Sequence, residues 1–193
     1  MDYFNNLVFE VHETAKSKGF WDAPRNEGEL FMLIVSELGE ALEAHRKGKR
    51  ADWVKFETNP GTHNFESDEQ KFKTAFSICI KDTFEDELAD VAIRIFDFMG
   101  SKSYSVELKE KIAPYVTVGE NLLFLTSKIC DIWKDDVEIG VVIDLNFILS
   151  VLFAVAEQHE INLNKHIEAK MKFNSTRPRL HGKALQYLDN SGS

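Results

Sequence analysis

A helical bundle is the fold class this chain predicts, and three observations carry that reading. Its four prolines (Pro24, Pro60, Pro114 and Pro178) all fall between segments of helical periodicity. Apolar residues within those segments recur as they do on amphipathic helices, at about 100° per residue. No alternating strand pattern recurs along the sequence. With 193 residues, the chain suits one all-helical domain over 1–193 with a substantial core.

The periodicity predicts helices over 2–18, 27–47, 70–100, 104–112, 118–135 and 140–173. Gly19 and Gly48 follow lysine-containing last turns, as helix-stopping glycines do. Residues 48–69 (GKRADWVKFETNPGTHNFESDE) are polar, contain Pro60-Gly61, and read as an excursion between two helices. The segment GVVIDLNFILSVLF could form a buried strand. Its continuation into AVAEQHEINLNKHIEAKMKF without a turn signal predicts one long helix instead. That apolar run includes Asp144 and Asn146 and reads as too short to span a bilayer comfortably. The tail at 187–193 is expected to be disordered.

Composition excludes some functions. A hydrophobic share of 44% and a charged share of 28% fit a soluble globular protein. The net charge of −9 argues against binding nucleic-acid polymers, which needs a basic surface. A small phosphorylated ligand stays open, because a cation and nearby lysines or arginines reverse the sign locally. Cys79 and Cys130 sit in apolar stretches and read as buried reduced thiols, a disulfide or metal pair being the alternative. The N-terminus MDYFNNLVFEVHE has acids where a signal peptide is basic, and lacks its apolar core. A cytosolic protein without a membrane partner is expected.

Two acid pairs carry the chemistry. Glu37 and Glu40 lie in SELGEALEA, Glu87 and Asp90 in EDELADVAIRIF. Each pair is spaced i, i+3, which places both carboxylates on one helix face. Glu37 falls inside the stripe of Leu30, Phe31, Ile34, Leu38, Ala41 and Leu42, with Glu40 at its edge. Glu87 borders the stripe of Phe84, Leu88, Val91, Ile95 and Phe98, and Asp90 lies further round towards Arg94 and Asp97. An acid within an apolar stripe needs a partner, a metal or a raised pKa. Solvated helix acids paired with lysines and arginines are the plain alternative. Four convergent carboxylates make an all-oxygen site for a hard divalent cation, Mg²⁺ foremost, able to take up phosphate oxygens.

Other groups match such a centre. Lys170, Asn174 and Arg177 share a face if the last helix continues, and Pro178 predicts its end near Thr176 or Arg177. Lysine and arginine supply charge to phosphoryl oxygens, and asparagine a hydrogen bond, although dipole complementation also explains basic helix ends. Phe20, Trp21, Arg25 and Asn26 in GFWDAPRN could stack and read a nucleobase, or plug the bundle end. Trp53 could close over a ligand or pack as cover, and Trp133 reads as core. His45 and Arg46 follow the first acid helix closely, yet structural roles suit all six histidines, which show no metal spacing. No nucleophile elbow or GxxxxGK[ST] loop is present.

Together, SELGEALEAHRKGK, FEDELADVAIRIFDFM and KMKFNSTRPRLHGK resemble the motifs of the all-α, MazG-like nucleoside triphosphate pyrophosphohydrolases, with their ExxE…ExxD metal signature. PRNEGELFMLIVSELGEALE is similar to the dCTP pyrophosphatase branch, where Pro-Arg-Asn leads into the acid helix. The likeness covers roughly 8–50, 82–100 and 165–183. It implies a bundle of that type with additional helices, hydrolysing a nucleoside triphosphate to the monophosphate and pyrophosphate. Glu37, Glu40, Glu87 and Asp90 would hold Mg²⁺, with Mn²⁺ as a substitute, and Glu37 or Glu40 would act on the attacking water. Lys170, Asn174 and Arg177 would contact the phosphate chain, and Trp21, Arg25 and Asn26 the base or sugar. A homodimer or homotetramer is expected, partly from the same likeness. The chain departs from it in the excursion at 48–69, in added helical material at 101–135, and in Ser36, where some relatives carry another acid. Two rivals remain: a di-iron or di-manganese bundle, whose ExxH pairs are missing here, and a helical protein that binds nucleotide without turnover.

Overall fold

The structure, a computed structural model, describes residues 3–58, 67–109, 112–134 and 138–180. The Pro60-Gly61 punctuation and the tail at 187–193 lie outside the described residues. Among those described, the chain forms helices and no strand, so the fold class is all-α. In order these are α1 (Tyr3–Ser17), α2 (Glu27–Arg46), α3 (Trp53–Thr58), α4 (Asp68–Cys79), α5 (Phe84–Lys102), α6 (Val118–Ile132), α7 (Glu138–Gln158) and α8 (Leu163–Ser175).

Helix α5 is the centre of the bundle and packs against α1, α2, α7 and α8. Its stripe of Phe84, Leu88, Val91, Ile95 and Phe98 is buried, as the periodicity requires. Facing it, α2 buries Leu30, Phe31, Ile34, Leu38 and Ala41; Leu42 turns out to solvent and Ala44 is buried instead. Gly100 allows α1 to cross α5 closely, since a Cβ there would stand 2.5 Å from His12 Cβ. A smaller cluster of Phe76, Cys79, Ile80 and Phe173, with Trp53, Phe56 and Phe72 against it, ties α3 and α4 to α8.

Two expected long helices are each divided. The helix expected over 70–100 breaks into α4 and α5, because Asp82 takes a left-handed φ of 59°. Thr83 then caps α5, its hydroxyl accepting from the Asp86 amide (3.3 Å), while Asp86 Oδ2 accepts from the Asp82 amide (3.0 Å). The helix expected over 140–173 breaks likewise at Glu160 (φ 59°), and Asn162 caps α8 through the Lys165 amide. Helix α7 corrects a second expectation: its 21 residues are long and apolar enough to cross a membrane by length and composition. Here Leu145, Ile148, Leu149 and Leu152 of α7 are fully buried in the bundle.

The helix expected over 104–112 is absent from its described part. Ser103, at φ 58°, ends α5, and residues 104–109 run beside α7 without helical structure. The physical reason is side-chain competition for their amides: Asn146 Oδ1 accepts from Glu107 (2.7 Å) and Ser150 Oγ from Lys109 (2.8 Å). Cys130 and Trp133 are exposed rather than buried, while Cys79 is buried as expected and both thiols are free. The first part of the excursion clamps the α4–α5 corner. Glu85 accepts from the Ala51 amide (3.0 Å) and Arg50 Nε (2.5 Å), and Lys49 accepts from the Phe84 amide (3.1 Å).

Candidate functional site

Burial of the α2–α5 seam decides which acids meet. Glu37 sits in the buried stripe of α2 and Glu87 at the buried start of α5, with Asp90 half-buried one turn on. One carboxylate oxygen from each of Glu37, Glu87 and Asp90 lies within 4.8 Å of the other two. Glu40 is not in this trio. It stands exposed at the rim, within 3.4 Å of the Ser36 hydroxyl, because α2 turns the Ile34–Leu38–Ala41 side inward and Glu40 lies at that stripe's edge.

Cations are built into the same cluster. Lys170 Nζ of α8, itself buried, bridges Asp86 Oδ2 (2.7 Å) and Asp90 Oδ2 (2.6 Å). Arg94 reaches across from α5 and donates to Glu37 Oε1 through Nε (3.0 Å), with a second guanidinium nitrogen also at 3.0 Å. Burial is the largest influence on Glu87, Asp86 and Glu37. It raises the Glu87 pKa to about 8, with Asp90 adding to the effect and Lys170 opposing it. It raises Asp86 to about 6 against the pull of Lys170. Burial and the Asp90 charge also raise Glu37, and Arg94 offsets part of this. For Lys170 burial acts downward, but Asp90 and Asp86 outweigh it and hold the ammonium charged. Without an added cation, the trio therefore carries less than its full negative charge at neutral pH.

Asp90 also lines a cavity of about 320 Å³ beside the trio. The predicted groups Arg25, Lys170, Asn174 and Arg177 line it as well. Helix α8 ends at Ser175, where Pro178 suggested, so Arg177 reaches the cavity from the turn beyond. Asn174 Oδ1 is buried and has no hydrogen-bond partner among the described residues. Lys18, Arg94 and Asp97 join the lining, and the first of these had no signal in the sequence. Arg94 and Asp97 did have one, lying four and seven residues past Asp90 along one helix face.

The aromatic segment contributes less directly. Trp21 Nε1 donates to Asp97 Oδ1 (2.9 Å), the Arg25 guanidinium lies 5.7 Å from its ring centre, and Phe20 lines the cavity. His12 Nδ1 meets the same Asp97 oxygen at 2.8 Å. Burial raises the Asp97 pKa, and the His12 and Trp21 contacts work against that rise. Asn26 serves as the N-cap of α2, its side chain accepting from the Glu29 amide at 3.1 Å. Trp53 packs on α8, donating to His166 Nε2 (2.9 Å), and His45 packs on Phe84.

Three carboxylates presenting only oxygen suit a hard divalent cation of the Mg²⁺, Mn²⁺ or Ca²⁺ type. The basic lining next to them suits an anion with several oxygens. No family model, curated protein or solved structure matches the chain.

Proposed function

We propose that this chain is a Mg²⁺-dependent nucleoside triphosphate pyrophosphohydrolase of the MazG-like, all-α kind, converting (d)NTP and water to (d)NMP and pyrophosphate. One observation carries the reading. Asp90 belongs both to the carboxylate trio and to the wall of a cavity lined by Lys170, Arg94, Arg25 and Arg177. A cation-binding end thus adjoins an anion-binding chamber, the combination a metal–triphosphate requires.

Glu37, Glu87 and Asp90 would hold the cation, with Glu40 at the rim. A bound Mg²⁺ supplies polarisation of phosphoryl oxygens and a lowered pKa for water. Water adds to the α-phosphorus and the bond to the bridging oxygen breaks, its electron pair leaving with pyrophosphate. Glu37 or Glu40 accepts the proton of that water. Lys170 and Arg177 stabilise the leaving charge, and Asn174 donates its amide to the phosphate chain. Phe20 and Arg25, which line the cavity, and Trp21, packed beside Arg25, would contact the base and sugar. The protein works in the cytosol as a homodimer or homotetramer, without nucleic-acid polymers or membranes as partners.

A second reading is favoured by one specific observation: Lys170 and Arg94 already form ion pairs with Asp86, Asp90 and Glu37. Under it, the chain binds nucleotide without hydrolysing it. The experiment is a panel of canonical and modified (d)NTPs with Mg²⁺, products separated by chromatography. Monophosphate plus pyrophosphate is the expected result. Diphosphate plus phosphate overturns the reaction class, and binding without products selects the second reading.

A further inference from the structure

We propose that Asp82, Asp86 and Glu87 form a second divalent-cation position, next to the Glu37–Glu87–Asp90 trio and sharing Glu87 with it. One carboxylate oxygen of each lies within 4.8 Å of the other two. The independent observation is Asp86. It is fully buried, and its Oδ1 has no hydrogen-bond partner among the described residues. A buried carboxylate oxygen without a partner is costly, and a bound cation would supply the partner this one lacks. Its other oxygen is taken by the Asp82 amide (3.0 Å) and Lys170 Nζ (2.7 Å).

The backbone shows how Asp82 reaches this point. At φ 59° it turns the α4–α5 corner, which brings it back beside the first turn of α5. Lys81 Nζ holds its Oδ1 at 2.5 Å. When ionised, Glu37, Asp82, Asp86, Glu87 and Asp90 set five negative charges against Lys170, Arg94 and Lys81, and the excess is left for added cations to offset. Glu87, between the two positions, bridges them as carboxylates do in paired-cation sites. The ligand class is a hard divalent cation, and its neighbour Lys170 places it on the side where the phosphate chain would enter.

This inference rests on the cation-binding reading above, and the test separates the two. Mn²⁺ alone is titrated into the full chain at about pH 8, free ion being read by electron paramagnetic resonance. Two ions per chain are expected, falling to one in Asp82→Asn and to one in Glu37→Gln. Asparagine tolerates the left-handed conformation and keeps the amide that Asp86 accepts, so the corner is retained. On the unmodified chain, two ions sharing Glu87 broaden each other's spectrum. One ion in the wild type, or two retained in Asp82→Asn, overturns the second position. Loss of the one ion in Glu37→Gln alone would leave the proposed function standing. No Mn²⁺ binding at all overturns both.

Discussion

Glu37 shows how one residue type at one register creates chemistry. Any apolar residue would satisfy the α2 stripe, yet a carboxylate sits there with only 8% of its surface exposed. It is kept by Arg94 and by whatever else its oxygens meet. Glu37→Gln keeps the shape and removes the charge. Turnover should fall by on the order of 100-fold or more in a pyrophosphate-release assay, while circular dichroism stays unchanged. A variant with near-normal activity removes Glu37 from the reaction. Glu87 yields a pH prediction. Its folded pKa is raised from 4.5 to about 8, so the folded chain binds this proton more tightly than the unfolded one. Its stabilising contribution is therefore complete below pH 4.5 and lost as pH rises through about 8. The Tm of the cation-free protein should fall across that window, and Mg²⁺ should restore most at the alkaline end. A Tm that is flat with pH and unmoved by Mg²⁺ would count against the centre.

At the scale of elements, caps decide where the acids stand. Thr83 and Asp86 end one helix and start the next, and this corner brings Asp82, Asp86 and Glu87 together. The signal was present in the sequence as T-x-x-D before an apolar stripe, a capping-box pattern that helical periodicity overrode. Nothing comparable announced the strap at 104–109, because its amides are held by Asn146 and Ser150 from a distant part of the chain. Asn26 illustrates a competition between roles. Its side chain caps α2, so Asn26→Ala should cost about 1 kcal/mol and lower Tm by roughly 2–4 °C in thermal denaturation. An unchanged Tm would mean that the side chain is available to a ligand instead.

For the whole molecule, the bundle leaves apolar surface uncovered. Leu123, Trp133, Ile139 and Ile143 on or beside α6 and α7 are more than half exposed. Such a surface fits burial against a second copy, as the proposed oligomer requires. Sedimentation at micromolar concentration should give a dimer or tetramer, and a monomer alone would refute it. Helix α7 makes the same point from inside. It is apolar nearly all round, and which parts face the core follows from its neighbours, not from its own pattern.

The sequence by itself determined the all-α class, the α5 stripe, the i, i+3 sharing of a face by Glu87 and Asp90, and the end of the last helix before Pro178. These depend on contacts within a few residues, which a period or a cap encodes locally. Only the tertiary structure decided that Glu40 stays at the rim, that Lys170 lies between Asp86 and Asp90, and that Arg94 pairs with Glu37. Those outcomes depend on which helix faces cross and how deeply each group is buried. Residues far apart in the chain set both, and no local spacing records them.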